Sequence, residues 1–421
     1  MNAYRVRQFQ PRDLIQTDVP ASKSLLNRAL ILAAFGKGEV FLACGSYADD
    51  TRALLDCLSR LGIRWKREQN GLRVSGCGGQ IPVPSAELDV RSAGTAARFL
   101  TAVLAVLGGD YRMSASPQMQ RRPMELLAEL ERAGVVVEYE GERGHFPFRI
   151  RSDGLHTGVL TVDTDLSTQY ASGLLLAAAI SHPLTLHLSG SRTDGSYIRM
   201  TLLLMEKFGA AFHREGNTVS VVPSPHNPPL VEIEADLSGA CYFYAMALLF
   251  STRVLVRRIH SDTLQGDKKF LEMLAERGVL FSETPEGLLA DGRDVRTYDG
   301  FVQNMRDCSD QALTVAALAP FARSATNITG IGHIRRQECD RIRAIVQNLT
   351  QLGVPVTEHA DGVTIEPSPI RGGTIKTFGD HRVAMAFSLI GLRTGNLTID
   401  DAACCAKTFD NYFDILDRLT K

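Results

Sequence analysis

Six stretches of this 421-residue chain resemble one another. Each opens on a small or polar group and runs into an almost wholly apolar segment. They are SKSLLNRALILAAF from Ser22, SAGTAARFLTAVLAVLG from Ser92, STQYASGLLLAAAIS from Ser167, SGACYFYAMALLFS from Ser238, SDQALTVAALAPFA from Ser309 and DHRVAMAFSLIGLR from Asp380. Successive starts lie 70 to 75 residues apart. A fixed period of this kind points to one supersecondary unit repeated along the chain. A helix apolar on all sides must be enclosed on all sides. Six such helices therefore belong inside, with the rest of each unit wrapped around them.

The remainder of each unit is legible too. Five of the six carry a second, amphipathic segment that ends in a similar turn: LSRLGIRW, LERAGVVV, MEKFGAAF, LAERGVLF and LTQLGVPV. Their glycines, Gly62, Gly134, Gly209, Gly278 and Gly353, stand where a helix ends in a left-handed residue. β-rich stretches such as VVVEYE follow. Each unit thus reads as strand, buried helix, strand, amphipathic helix and two strands. Three units per half, packed about pseudo-threefold axes, make an α/β fold of two domains.

Polar residues gather at the N-terminal ends of the buried helices, where free N–H groups and the helix dipole favour anions. Lys23, Arg28, Arg98, Arg122, Arg341, Arg382 and Lys407 lie near these starts or inside the first helices. A cation there opposes the dipole unless an anion is shared with it, and a buried Arg is rarely unpaired. Seven at repeat-related places point to an anionic ligand rather than to seven structural ion pairs. Gly94 and Thr95 open one helix in a way that lets a ligand approach the backbone. Asp380, His381 and Arg382 stand together at another. Asp310 sits at a helix start, where it caps the helix or takes a hydroxyl proton. In IRRQECDRI, Glu338 and Arg341 are spaced to share one helix face.

Composition narrows the function. Net charge is −1, so no basic field for nucleic acid is present. The N-terminus lacks the apolar core of a signal peptide, and no apolar run is of membrane-spanning length. The eight cysteines are scattered without metal-ligand spacing, which reads as reduced thiols in a cytoplasmic protein. No P-loop, dinucleotide-binding glycine fingerprint or nucleophile elbow occurs, so neither cofactor nor metal is expected. The chemistry indicated is a reaction between small polyanions, driven by positioning and charge.

The motifs PASKSLLNRALILAA, SAGTAARFL, RRPM, STQY, SDQALTVAALAPFA, QECDRI, GDHRVAMAFSL and AKTFDNYF, in this order, span essentially the whole chain. This series resembles the 5-enolpyruvylshikimate-3-phosphate synthase family. The resemblance implies a two-domain inside-out α/β barrel of six repeats, three per domain. Residues 20–235 would form one domain and 1–19 with 236–421 the other, with the active site in the interdomain cleft and closure expelling water. The implied reaction transfers the enolpyruvyl group of phosphoenolpyruvate to the 5-hydroxyl of shikimate 3-phosphate, without metal, by a chain expected to be monomeric.

Residue by residue, the resemblance places Lys23, Gly94, Arg122, Gln169, Arg341, His381, Arg382 and Lys407 at phosphoenolpyruvate. It places Ser24, Arg28, Ser167, Thr168, Gln169, Tyr197, Asp310, His333 and Gln337 at the acceptor. Asp310 would be the base at the acceptor hydroxyl and Glu338 the acid at the methylene carbon, with Lys23 assisting proton transfer. Three positions depart from the family pattern. Gln337 replaces a lysine, Asp194 a serine, and His333 stands where several relatives carry asparagine. Arg192 and Arg336 are nearby cations able to compensate. An enolpyruvyl transferase with a different acceptor is the alternative, and a non-catalytic anion-binding repeat protein a second one.

Overall fold

The structure, a computed structural model, describes residues 3–224 and 226–421. The chain divides into a continuous unit, residues 21–234, and a discontinuous unit, residues 1–20 with 235–421.

The second repeat shows the plan. Strand Ser85–Asp89 pairs in parallel with Gly109–Ser114, and the buried helix Gly94–Leu107 connects them. After the outer helix Leu126–Arg132, strands Val136–Tyr139 and Phe148–Ser152 form an antiparallel pair, and the latter joins Gly109–Ser114. The third and fifth repeats have the same four-strand order.

The other three repeats depart from the expectation that each segment of sequence builds its own sheet. The first obtains its parallel outer strand, Leu230–Glu232, from the far end of the continuous unit. The fourth obtains Leu14–Thr17 from the N-terminal segment. The sixth has three strands, one of them Tyr4–Val6, antiparallel to Leu397–Ile399. The physical reason is closure: an unpaired sheet edge leaves backbone N–H and C=O groups unsatisfied, and segments beside the unit boundaries or N-terminal to them cover it. This is also why the N-terminal segment belongs with the C-terminal half.

Within the continuous unit, helices Lys23–Phe35, Gly94–Leu107 and Thr168–Ile180 pack against one another. Within the discontinuous unit, Leu237–Phe250, Ala312–Leu318 and His381–Thr394 do the same. Helix Leu237–Phe250 buries every one of its 14 residues. Each large apolar side chain so enclosed contributes about 1.5–3 kcal/mol. The sheets lie outside, and a strand such as Val159–Asp163 alternates exposed and buried residues as a half-wet sheet requires.

The five turn glycines all have positive φ, between 80° and 97°. In each, the glycine N–H bonds the carbonyl three residues back, and the next N–H bonds the carbonyl five back, as for Gly62 to Ser59 and Ile63 to Leu58. That is the Schellman pairing, and it satisfies the last carbonyls of the helix. At Gly134 a Cβ would also lie 2.4 Å from His156 Nδ1.

Two local expectations are corrected. Ser309 does not open an α-helix: Arg306–Gln311 is a 3-10 turn bent at Cys308, and the helix begins at Ala312. Asp310 lies in that turn, where Arg341 and Arg382 hold its carboxylate. In IRRQECDRI the helix begins only at Arg341, capped by Asp340, whose carboxylate accepts from the Arg343 N–H at 3.0 Å. Glu338 precedes the helix, so it and Arg341 do not share a helical face. They meet through the bend instead.

All eight cysteines are free thiols. Among the described residues, no helix is long and apolar enough to cross a membrane.

Candidate active site

In the discontinuous unit, the starts of repeats five and six converge on Arg341. This guanidinium is 1% exposed. Its Nε donates to Asp380 Oδ2 at 2.8 Å, one terminal nitrogen to Asp310 Oδ1 at 3.0 Å, and the other to Glu338 Oε2 at 3.0 Å. It also donates to Gln337 Oε1. Burial works to lower its proton affinity, but Asp380, Glu338 and Asp310 overcome this and raise it. Arg341 is thus a permanent cation among three carboxylates.

Each carboxylate has a second tie. Asp310 Oδ2 accepts from Arg382 at 2.8 Å. Glu338 Oε1 accepts from Lys407 Nζ at 3.0 Å. Asp380 caps the helix that follows it, accepting from the Arg382 N–H at 2.9 Å. His381, 1% exposed, places Nδ1 3.7 Å from Asp380 Oδ1. His333 Nε2 lies 2.9 Å from Ser309 Oγ, one residue before Asp310. The two expected proton carriers, Asp310 and Glu338, are therefore joined through one guanidinium, and each also faces a further cation.

Behind this cluster Asp267 is 6% exposed and accepts a hydrogen bond from Ser238 Oγ. Burial, and then Asp310, push its carboxyl up to about 6, against the opposing pull of Arg382.

The continuous unit holds the remaining expected residues. Lys23, first in its helix, places Nζ 3.2 Å from the buried carboxylate of Asp50. Gly94 opens its helix beneath two guanidinia: a Cβ there would lie 3.0 Å from Arg98 and 3.1 Å from Arg122. Arg98 stacks over the Tyr170 ring at 5.5 Å. Ser167 caps its helix by accepting from the Gln169 N–H at 3.2 Å, and Thr168 is buried.

Arg28 is 1% exposed and has hydroxyls and carbonyls as hydrogen-bond partners. It donates to Thr201 Oγ1 at 2.7 Å, Ser24 O at 2.8 Å, Ser172 Oγ at 3.1 Å and Tyr197 O at 3.4 Å. Its guanidinium lies 5.8 Å from the centre of the Tyr197 ring. Burial lowers its proton affinity to about 10.

The departures from the family pattern have structural counterparts. Asp194 is held by Arg199 and Arg214, each at 2.9 Å, so its charge is already engaged. Gln337 gives its carbonyl to Arg341. Sequence reasoning did not single out Asp50 or Asp380 as partners of the site cations. Asp50 lies in the first turn of an outer helix, and Asp380 is an N-cap; both are common places for Asp without any function.

A family profile for EPSP synthase (3-phosphoshikimate 1-carboxyvinyltransferase) matches residues 15–416. The 3-phosphoshikimate 1-carboxyvinyltransferase 2 of Halalkalibacterium halodurans is 37% identical, with 95% of this chain and 91% of that protein covered. The 3-phosphoshikimate 1-carboxyvinyltransferase of Nostoc punctiforme is 36% identical, with 94% of each covered. A solved structure of EPSP synthase from Acinetobacter baumannii superposes with a TM-score of 0.80 at 24% identity, over 99% of this chain and 98% of that one. The inside-out fold of two three-repeat units is therefore shared with that enzyme. With its sequence matched nearly end to end, this chain belongs to the EPSP synthase family of transferases.

Proposed function

We propose that the chain transfers the enolpyruvyl group of phosphoenolpyruvate to the 5-hydroxyl of shikimate 3-phosphate, releasing phosphate. The observation that carries this is the pairing of Asp310 and Glu338 through Arg341, since mere anion binding needs neither carboxylate. Asp310 takes the hydroxyl proton as the acceptor oxygen bonds to C2 of phosphoenolpyruvate. Glu338 gives a proton to C3, and a tetrahedral adduct forms. Loss of the C3 proton then expels phosphate and restores the double bond. No electron carrier is needed.

The cations serve two purposes. Lys23, Arg122, Arg341, Arg382 and Lys407, with His381 and Gln169 beside them, hold the carboxylate and phosphate of phosphoenolpyruvate. Substrate oxygens also draw Lys407 and Arg341 away from Glu338. The Glu338 carboxyl then faces the substrate instead of two cations. Gln169 Oε1 is buried without a hydrogen-bond partner, as are Ser22 Oγ and Arg98 Nε. Unsatisfied buried polar atoms in native structures call for an explanation, and a polar ligand supplies one.

On the acceptor side, Ser24 and Arg28 take the carboxylate, Ser167 and Thr168 the 3-phosphate, and Tyr197 the ring. Arg192, whose guanidinium donates to Asp165 O at 3.0 Å and lies 3.8 Å from Asp165 Oδ1, supplies a cation to the phosphate by exchanging that partner for the ligand. A different acceptor is the second reading, favoured by the uncharged Gln337. Phosphate release from phosphoenolpyruvate decides between them. Release that requires shikimate 3-phosphate supports the first; release with another acceptor only supports the second. No release with any acceptor removes both.

A further inference from the structure

Two of the chain segments that carry the proposed phosphoenolpyruvate residues, and the helix that supplies Asp50 to Lys23, meet at one buried side chain. Asn27 is 0% exposed. Its Nδ2 donates to Thr95 Oγ1 at 2.7 Å, and its Oδ1 accepts from Thr51 Oγ1 at 2.9 Å. Thr51 is 0% exposed and Thr95 5% exposed. Each of the three neighbours a site residue. Thr95 follows Gly94. Thr51 follows Asp50, which holds the Lys23 ammonium at 3.2 Å. Asn27 lies one helical turn after Lys23.

The helices Lys23–Phe35, Asp49–Arg60 and Gly94–Leu107 also meet through the Lys23–Asp50 ion pair and through Arg28 over the Phe99 ring at 5.1 Å, and they bury many Leu, Ala, Val and Phe side chains. Apolar contact holds helices together but is non-directional. The hydrogen bonds of Asn27 are directional, and both ends of its amide are used. We propose that Asn27 is a positioning residue, which sets where the Lys23 ammonium stands relative to Gly94 and the Arg122 guanidinium. The inference rests on the reading that these residues hold phosphoenolpyruvate.

The neighbouring Arg28 has its own anchors in Ser24, Ser172, Thr201 and Tyr197. Loosening Asn27 therefore disturbs the phosphoenolpyruvate side and leaves the acceptor side in place. Misplacing a reacting group by an ångström costs about 100-fold in rate, so a small slip is measurable.

The test compares Asn27→Ala, Thr95→Val and the double variant with the unmodified enzyme, reading KM for each substrate separately. We expect KM for phosphoenolpyruvate to rise about tenfold in each single variant and KM for shikimate 3-phosphate to stay within about twofold. The double variant should be no worse than Asn27→Ala, because both changes break the same bond. Thr95→Val changes one buried hydroxyl to a methyl and carries the test if Asn27→Ala does not fold. Unchanged KM values, or both raised alike with a lowered thermal midpoint, would reduce Asn27 to a fold-stabilising residue and overturn the proposal. If the unmodified enzyme itself shows no turnover with this substrate pair, the parent reading fails and takes this one with it.

Discussion

Asp267→Asn offers a quantitative check on the electrostatics of the discontinuous unit. Asp267 is 6% exposed, and burial with the nearby Asp310 raises its carboxyl from 3.8 to about 6. Between those two values the folded protein binds more protons at this site than the unfolded chain does. Stability therefore falls as pH rises through that window, and the full cost is present above pH 6. Two pKa units correspond to about 3 kcal/mol. Asn keeps an acceptor for Ser238 Oγ and removes the buried charge, but its amide donors need partners, which costs about 1 kcal/mol or more. The variant should be more stable than the parent by about 1–2 kcal/mol at pH 8, and the gain should vanish by pH 4. The single tryptophan, Trp65, lies in the continuous unit and does not report on this one. Hydrogen exchange at the amides of Leu237–Phe250 in urea, at pH values from 4 to 8, does. A difference that does not change with pH, or a variant less stable at pH 8, would refute the reasoning.

Further outcomes follow from the same geometry. Glu338→Gln should bind both substrates nearly as before yet lose about 100-fold or more in kcat, as removal of a general acid does; unchanged turnover would take Glu338 out of proton transfer. Arg341→Met leaves Asp310, Asp380 and Glu338 facing one another without their shared cation. It should cost about 3–5 kcal/mol at pH 8 and less at pH 5, where carboxylates protonate more readily, by urea titration at both values. Gly134→Ala should destabilise by about 1–2 kcal/mol more than Gly38→Ala. Both glycines have φ of 97°, but only at Gly134 does the new Cβ meet a neighbour, and urea midpoints measure the difference. Asp194→Ala, which takes a carboxylate from Arg199 and Arg214 and leaves their bonds to backbone carbonyls, should leave KM for phosphoenolpyruvate unchanged and alter KM for shikimate 3-phosphate by less than about fivefold in steady-state assays.

Much of the architecture was legible because it rests on local rules. An apolar surface all round a helix has one solution in water, and a left-handed helix end has one favoured residue. The site was legible as a set of residue types but not as a set of partners. Lys23 and Arg341 were recognisable as cations. That Asp50 answers the first, and that Asp380 joins Asp310 and Glu338 around the second, was not. Glu338 and Arg341 are three apart and could be read together, but the other pairs join residues 27 to 39 positions apart on different elements, and no periodicity links them. Two readings made from spacing failed for related reasons. Asp310 and Glu338 were placed on helices by pattern, but each is drawn out of helical geometry by the bend or turn that brings it to Arg341.

By itself the sequence determined the repeat, the enclosure of six apolar helices, the left-handed glycine ends and the membership of a family of anion-handling transferases. The tertiary structure alone decided how repeats one, four and six are completed. It paired Tyr4 with Ile399 and Leu230 with Phe41, and it set Asp194 between two arginines. The physical reason is that helix formation and capping depend on neighbours within a turn. Strand pairing, ion-pair choice and the burial of Arg28 or Asn27 are settled only when distant segments compete for the same unsatisfied groups.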